Sequence, residues 1–406
     1  MVRIPLGGGA EDSHFREIEE GWDIVLGNPP YLQIPKGDIP SETFPFSEGK
    51  DKGKQNLYKV FVEHGYNLVT QDSGVFCLIT QSSIMCDLSS SHTRELLLTQ
   101  TSIKQCVEFP KIAPTKEGQV FKTALQGTCI LLCTKATPLK SHSFKLSINN
   151  DKTTISKLCF ESIKQDSILS FYPHRFEIPL IKQGEMALIQ KIKHDKVLLG
   201  SMLEGTLQGN INTTKLKQIQ SHSPTNILII KGENCHRYYQ DSQMMYGIEN
   251  NELILKALKN NKDKNIITTQ NITGTTDTFR IHANFVESKN TNFVFLDSVN
   301  ISYSRNSSEA KFIVGLLNSK LLDWLFRKTS TNNHVNKYEL EDLPIPKITA
   351  SNQRIADSII ALSDEILALK AQDSSADTSH LEVQIDNLVY ALYGLSEEEI
   401  HIMQGR

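Results

Sequence analysis

The stretch Asp23-Ile-Val-Leu-Gly-Asn-Pro-Pro-Tyr31 decides which fold we predict for the first part of this chain. A short apolar run ends at Gly27, and two consecutive prolines follow it. Each proline ring fixes φ, so the residues after the run continue neither a strand nor a helix. The pattern predicts a strand followed by a rigid loop, in which the Asn28 side chain and the Pro29 carbonyl point outward.

Further apolar runs follow this strand and alternate with a helical pattern. Gly74–Thr80, Ser102–Phe109 and Thr128–Cys133 are typical of strands, whereas Asn56–Val69 places its apolar residues on one helical face. This alternation predicts an α/β fold with a mostly parallel, doubly wound sheet. Ligands of such sheets bind at the carboxyl ends of the strands, which is where the loop after Gly27 lies.

The rest of the chain predicts a second domain of a different class. Gly-punctuated strands and a long amphipathic helix over Ala310–Lys328 indicate an α+β domain, and Leu343–Pro346 interrupts it. Two helical stretches after this break predict a C-terminal helical hairpin. The expected divisions are a connector (1–21), a partial α/β domain (22–140), closing strands and a linker (141–178), the α+β domain (179–347) and the hairpin (348–406).

The composition indicates a soluble protein without a structural metal. Hydrophobic residues make up 39% and charged residues 22% of the 406 positions. No apolar run has the length of a membrane span, and the N-terminus has no apolar core of signal-peptide length. Seven scattered cysteines form no CxxC pair and no metal-ligand spacing. We therefore expect a cytoplasmic protein with reduced thiols, no membrane partner and no bound metal.

The net charge of −3 hides an uneven distribution along the chain. Residues 181–350 carry a formal charge of +5, whereas residues 351–406 carry −7. A contact with a polyanion is therefore expected in the middle of the chain. Ordinary variation of surface charge explains the same numbers equally well.

The loop after Gly27 has the chemistry to hold an amine on an aromatic ring. The Asn28 side chain and the Pro29 carbonyl are two adjacent hydrogen-bond acceptors. Accepting both N–H groups favours the pyramidal amine, whose lone pair is then available for attack. Tyr31 offers a flat face on which a base stacks, a contact worth roughly 1–3 kcal/mol. The alternative is a proline-stiffened loop with no catalytic role.

Asp23–Tyr31 resembles motif IV of the γ-class adenine-specific DNA methyltransferases, including those of type IIG restriction-modification enzymes. Asn56–Phe61 is similar to the helix that follows motif IV, and Ser73–Thr80 resembles the next strand of that family. Val120–Leu132 resembles the late motif in which an aromatic residue packs on the flipped base. The resemblance implies an adenine-specific methyltransferase that takes its methyl group from S-adenosylmethionine.

The resemblance also implies roles for individual residues. Asn28, Pro29, Pro30 and Tyr31 would be the catalytic loop, and Phe121 would pack on the flipped base, with Phe109 as the alternative. The residues that would contact the cofactor are Asn56, Leu57 and Tyr58.

The cofactor motifs of this family precede motif IV, but only 27 residues precede Asn28. Gly7-Gly8-Gly9 follows no apolar strand, so it does not replace them. We therefore expect the chain to be the C-terminal portion of a larger enzyme and to lack most of the cofactor pocket. A separate chain would then supply those motifs or a nuclease. No nuclease-like cluster is visible, so no DNA cleavage is expected from this chain.

The remainder of the chain resembles the target-recognition domain and tail of these enzymes, which implies double-stranded DNA as partner. The expected DNA contacts lie in the basic middle segment and are Lys191, Lys193, Lys215, Lys217, Arg237, Arg280 and Arg305. Two other functions stay open. One is a non-catalytic DNA-recognition protein or an inactive remnant, and the other is a methyltransferase acting on RNA or on protein glutamine.

Overall fold

A computed structural model describes residues 3–5, 15–17, 21–35, 38, 42–47, 55–111, 117–121, 126–182, 184–241, 245–275, 277–287 and 292–405. The chain divides into two compact units, Met1–Gln183 and Gly184–Arg406. The domain boundary expected near Ile178 lies shortly before this division. The C-terminal helices belong to the second unit.

The first unit is an α/β structure. Its described strands are β1 (Arg3–Pro5), β2 (Phe15–Glu17), β3 (Ile24–Gly27), β4 (Gln33–Ile34), β5 (Gln55–Asn56), β6 (Val75–Gln81), β7 (Ser102–Phe109), β8 (Thr128–Thr134), β9 (Ser143–Ser147) and β10 (Glu161–Lys164). Its described helices are α1 (Leu57–Leu68), α2 (Ser91–Gln100) and α3 (Gln165–Phe171).

Six strands of the first unit form one sheet in the order β10-β9-β7-β8-β6-β3. Two neighbouring pairs, β3 with β6 and β7 with β9, are parallel. β8 is antiparallel to both of its neighbours, β6 and β7. A mostly parallel sheet was therefore the wrong prediction. β8 follows β7 in the sequence and lies directly beside it, an arrangement that antiparallel strands form without a crossover connection.

β3 lies at an edge of this sheet, and one of its faces is uncovered in the part of the chain that the structure describes. Ile24 and Leu26 are 63% and 72% exposed, although both are apolar. In the parallel register they lie beside Val75 and Cys77, which are only half-buried. The opposite face is packed, since Gly65 of α1 lies against the buried Phe76 and Leu78.

The second unit has α+β structure. Its described strands are β11 (Lys196–Leu198), β12 (Gly205–Gln208), β13 (Gln220–Ser221), β14 (Ile227–Ile230), β15 (Cys235–His236), β16 (Tyr239–Gln240), β17 (Met245–Gly247), β18 (Asn265–Gln270), β19 (Ala283–Glu287), β20 (Asn292–Phe295), β21 (Val299–Ser304) and β22 (Pro344–Pro346). Its described helices are α4 (Glu185–Lys193), α5 (Leu199–Met202), α6 (Leu216–Ile219), α7 (Glu252–Asn261), α8 (Ser307–Leu317), α9 (Lys320–Arg327), α10 (Lys337–Glu341), α11 (Gln353–Gln372), α12 (Ser379–Tyr393) and α13 (Glu397–Gln404).

Two four-stranded sheets organise the second unit, in the orders β12-β21-β18-β19 and β13-β17-β14-β20. The second unit has two clusters of buried hydrophobic residues, and β14 and β20 contribute side chains to both. They can do so because successive side chains of a strand point to opposite faces. Ile229 and Val294 belong to the cluster that contains Ile254 of α7, whereas Ile230 and Phe295 belong to the other cluster.

The helix predicted over Ala310–Lys328 is two helices, α8 and α9. The Asn318 side chain donates to the carbonyl oxygen of Ala283 and accepts from its N–H, at 2.9 and 3.0 Å. The Ser319 hydroxyl accepts from Leu322 N–H and caps α9. These local bonds to the backbone compete with the helical ladder and explain the break. Farther along, α11 packs against α8 and α12, and α13 follows them.

We predict that Glu108 makes the stability of the first unit depend on pH. Its side chain is 3% exposed at the end of β7, and burial raises its carboxyl pKa from 4.5 to about 7, opposed by the Asn149 N–H bond. The folded state therefore favours the protonated carboxyl. The free energy of unfolding should fall as pH rises from 4.5 to about 7, by up to about 1.4 kcal/mol per pH unit.

The measurement is urea unfolding at pH 5 and pH 8, followed by Trp22 fluorescence in a Trp324→Phe background. Glu108→Gln should make the free energies of unfolding at the two pH values more nearly equal than they are in the wild type. Glu117→Gln, at an exposed position of the same unit, is the matched control. An unchanged pH dependence in Glu108→Gln would contradict the assignment.

Candidate active site

The loop after β3 is fastened at two points to the elements around it. Asn28 is exposed, Pro29 is buried, and the Tyr31 hydroxyl donates to the carbonyl oxygen of Ile79 in β6 at 3.2 Å. One residue later, the Leu32 carbonyl accepts from the Leu57 N–H at 2.9 Å. The loop is therefore held between the carboxyl end of β6 and the start of α1, with Asn28 open to solvent.

Tyr31 contacts aromatic residues from two distant parts of the sequence. Its ring centroid lies 6.4 Å from that of Tyr58, at an interplanar angle of 81°. The Phe121 ring lies 6.2 Å from Tyr31, at an interplanar angle of 78°. Both are edge-to-face arrangements, which aromatic pairs favour. The structure thus brings together the predicted loop, the predicted aromatic residue and the start of α1. Phe109, the alternative to Phe121, is 3% exposed at the end of β7.

Both tyrosine hydroxyls in this cluster remain protonated at neutral pH. Burial raises the pKa of Tyr31, and it raises the pKa of Tyr58 to about 12 against hydrogen bonds from Ser83 and Ser90. The Tyr58 hydroxyl lies 3.2 Å from the Ser83 oxygen and 3.1 Å from the Ser90 oxygen. The two phenols are therefore neutral hydrogen-bonding groups and not bases.

The residues predicted to contact the cofactor have roles in the fold. The Asn56 side chain is buried and caps α1 by accepting from the Tyr58 N–H at 3.4 Å. The Tyr58 hydroxyl is engaged by the two serines, and Leu57 is half-buried. Their contact with S-adenosylmethionine stays a prediction, and so does the expected absence of most of the cofactor pocket.

Gln55 is a polar residue at this site that the sequence pattern did not single out. It is 4% exposed in β5, which pairs with β4 shortly after the Asn28–Tyr31 loop. Neither amide atom has a hydrogen-bond partner. A buried amide without a partner is costly, which marks Gln55 as a group able to bind a ligand. Only the tertiary structure reveals this, because glutamine alone carries no sequence signal.

Two of the predicted DNA contacts are engaged inside the second unit. Arg280 is 1% exposed, and its guanidinium donates to the Thr273 hydroxyl at 2.9 Å and to the carbonyl oxygens of Asn332 and His334. Arg237 donates to the Asn318 carbonyl at 2.6 Å, forms an ion pair with Glu382 and lies over the Phe279 ring. The Arg280 guanidinium stabilises the interior, and we leave it out of the proposed DNA contacts.

The other predicted contacts lie nearer the surface. Lys191 Nζ forms an ion pair with Glu399 Oε2 at 2.6 Å, and Arg305 Nη1 lies 3.7 Å from Glu309 Oε1. Lys193 is half-buried, whereas Lys215 and Lys217 are exposed.

Two features are absent from the described residues. None of their helices combines the length and the apolar character that crossing a membrane requires. Nor do the described His, Cys, Asp and Glu side chains form a group of three or more able to hold a metal ion.

Comparisons with known proteins agree with the predicted family in its broad outline. Residues 9–114 match the family model of the Eco57I restriction-modification methylase. The chain is also similar to RM.MjaORFECS2P of Methanocaldococcus jannaschii, which is described as a candidate type II restriction enzyme and methyltransferase. The two are 23% identical over 92% of this chain and 31% of the relative. Residues 9–114 are therefore similar to a restriction-modification methylase domain.

Solved structures show a similar fold at low sequence identity. The type IIL restriction-modification enzyme MmeI, solved in complex with DNA, matches 94% of this chain with a TM-score of 0.55 and 12% identity. A nuclease-deletion mutant of the type ISP enzyme LlaGI, solved with a DNA substrate mimic, matches 85% with a TM-score of 0.51 and 12% identity. This chain spans 56% and 41% of those two chains, and about a third of the curated relative.

We predict that replacing Arg280 unfolds the second unit more easily and does not act through a lost DNA contact. Arg280→Gln should lower the free energy of unfolding by about 2–4 kcal/mol, because buried carbonyl oxygens lose their donors. Arg305→Gln, at an exposed position, should change it by less than about 0.5 kcal/mol. Trp324 fluorescence during urea unfolding, in a Trp22→Phe background, measures both. Equal stabilities of the two variants would contradict the buried role.

Proposed function

We propose that this chain takes part in site-specific methylation of the exocyclic 6-amino group of adenine in duplex DNA, as part of a restriction-modification system. One observation carries the proposal. The Asn28–Tyr31 loop, Tyr58 and Phe121 meet at one end of the sheet, although 90 residues separate Tyr31 from Phe121. The methylase match over residues 9–114 supports the same reaction.

In this proposal the catalytic loop holds the target amine. The Asn28 side-chain oxygen and the Pro29 carbonyl oxygen accept the two N–H groups of the adenine. The amine nitrogen then becomes pyramidal, and its lone pair is no longer delocalised into the ring. Pro29 and Pro30 keep the two acceptors in place because neither residue can rotate about φ.

The adenine must leave the duplex to reach this loop, at a cost of a few kcal/mol. We propose that Tyr31 and Phe121 compensate for part of this cost by packing against the extruded base. The Tyr31 hydroxyl is already bound to the Ile79 carbonyl, and its ring contacts Phe121. The aromatic surface is therefore ordered before the base arrives.

S-adenosylmethionine would supply the methyl group. We propose that further polypeptide completes its pocket at the open edge of β3. Ile24 and Leu26 are large apolar side chains that stay exposed on this strand, and exposed apolar surface of this kind is typical of an interaction site. A strand added in parallel to β3 would end beside Asn28, so its carboxyl end would contribute residues to the same site.

We predict that Asn28→Ala lowers the methylation rate at least ~100-fold, because one acceptor of the reacting amine is lost. The assay combines the chain with any in-frame upstream coding region and measures transfer of a labelled methyl group. Duplex genomic DNA, RNA and protein are compared as acceptors, and the methylated nucleoside is identified by mass spectrometry.

Asn67→Ala, at an exposed position of α1, is the matched control and should retain the wild-type rate. DNA binding should survive in both variants. A wild-type rate in Asn28→Ala would refute the assignment of the loop. A methylated cytosine, or transfer only to RNA or to protein glutamine, would refute the proposed substrate.

We predict that this chain alone binds S-adenosylmethionine too weakly for a stoichiometric isotherm in the micromolar range. The reason is that Asn56 and Tyr58 are engaged in the fold and the edge of β3 is open. Isothermal titration calorimetry of the whole chain measures this directly. Stoichiometric binding in that range would show that the chain holds a complete pocket.

The exposed β3 strand and the internal hydrogen bonds of Asn56 and Tyr58 also favour a second candidate function. A chain with an incomplete cofactor pocket recognises DNA without modifying it, as a specificity protein does. Methylation of genomic DNA with and without the upstream coding region distinguishes the two functions, because only the methyltransferase gains activity when that region is supplied.

A further inference from the structure

Helices α6 and α7 carry a group of exposed lysines in the second unit. Lys215 ends a 3-10 turn directly before α6, and Lys217 lies within α6. Lys256 and Lys259 lie in α7, and Lys262 follows its last residue. All five are exposed. We call this group the α6–α7 lysine surface.

These lysines differ from most basic groups of the second unit in having no partner. Lys191, Lys264 and Lys311 form ion pairs with Glu399, Glu204 and Asp364. No hydrogen bond or ion pair engages the ammonium groups of the α6–α7 lysines within the described residues. These ammonium groups are therefore available to an external anion.

Packing and hydrogen bonds hold the two helices next to each other. Asn251 caps α7 by accepting from the Leu253 N–H at 3.0 Å, and its amide donates to the Gln218 carbonyl at 3.1 Å. Leu216 of α6 and Leu258 of α7 pack against the same buried cluster. The exposed lysines of both helices are therefore carried by neighbouring elements that pack on one buried cluster.

The buried side of α7 determines where its lysines point. Ile254 and Ala257 are buried, and Lys256 and Lys259 lie on the opposite side of a helix with 3.6 residues per turn. Lys262 lies one turn beyond Lys259. Two carboxylates, Glu252 and Asp263, flank the row, and its three lysines against these two carboxylates (3 − 2) leave a net charge of +1.

We propose that the α6–α7 lysine surface binds the phosphate backbone of duplex DNA. This inference rests on the proposed function and adds α7 to the expected contacts. Ammonium groups that neutralise phosphates release counterions, which gives affinity without base specificity. The surface thus positions the second unit on DNA, and base recognition lies elsewhere on it.

The test is binding of the whole chain to a fluorescent 30-base-pair duplex of arbitrary sequence, measured by anisotropy between 50 and 200 mM NaCl. In Lys256→Gln/Lys259→Gln/Lys262→Gln, the slope of log K against log salt should become less steep by about 2–3, since each lost phosphate contact contributes roughly 0.9. Adding Lys215→Gln/Lys217→Gln should reduce it further.

The matched control is Lys337→Gln/Lys347→Gln/Arg354→Gln, which removes the same charge from exposed residues on other elements. It should retain the wild-type slope. Thermal unfolding verifies that both triple variants are folded as stably as wild type. Equal slopes in the test and control variants would overturn this inference alone. A wild-type chain that binds no duplex DNA would overturn it together with the proposed function.

Discussion

The hydrogen bond from the Tyr31 hydroxyl to the Ile79 carbonyl holds the candidate site together. It joins the loop after the edge strand to the carboxyl end of the neighbouring strand. Tyr31 then has a defined orientation, in which its ring meets Tyr58 on one helix and Phe121 before β8. The prolines before it prevent the loop from relaxing into a helix. A short loop can therefore present Asn28 to solvent and still be rigid.

The edge strand that carries this loop, β3, has one exposed face. Ile24 and Leu26 are apolar and yet largely exposed, which a strand of a covered sheet does not tolerate. Within the described residues, the Asn28–Tyr31 loop therefore has packed neighbours on the side of β6 and α1 and an exposed apolar strand on the side of β3. The proposal that further polypeptide completes the cofactor pocket starts from this asymmetry.

In the second unit, some basic side chains have partners within the unit, whereas others have none among the described residues. The basic segment predicts Arg280 and Arg237 as DNA contacts, but their guanidiniums donate to backbone carbonyl oxygens of the same unit. The sequence pattern does not predict Lys256 and Lys259, although both are exposed and neither ammonium group has a partner within the described residues. A count of charges does not distinguish these cases, because the partner of each charge is distant in sequence.

The sequence alone determined the Asn28–Tyr31 loop, the strand before it and the helix after it, since prolines and apolar periodicity act locally. It also predicted Phe121 as a site residue. Only the tertiary structure decided that β8 runs antiparallel, that α8 and α9 are separate helices and that Gln55 is buried without a partner. These features depend on contacts between residues far apart in the chain, which local patterns do not encode.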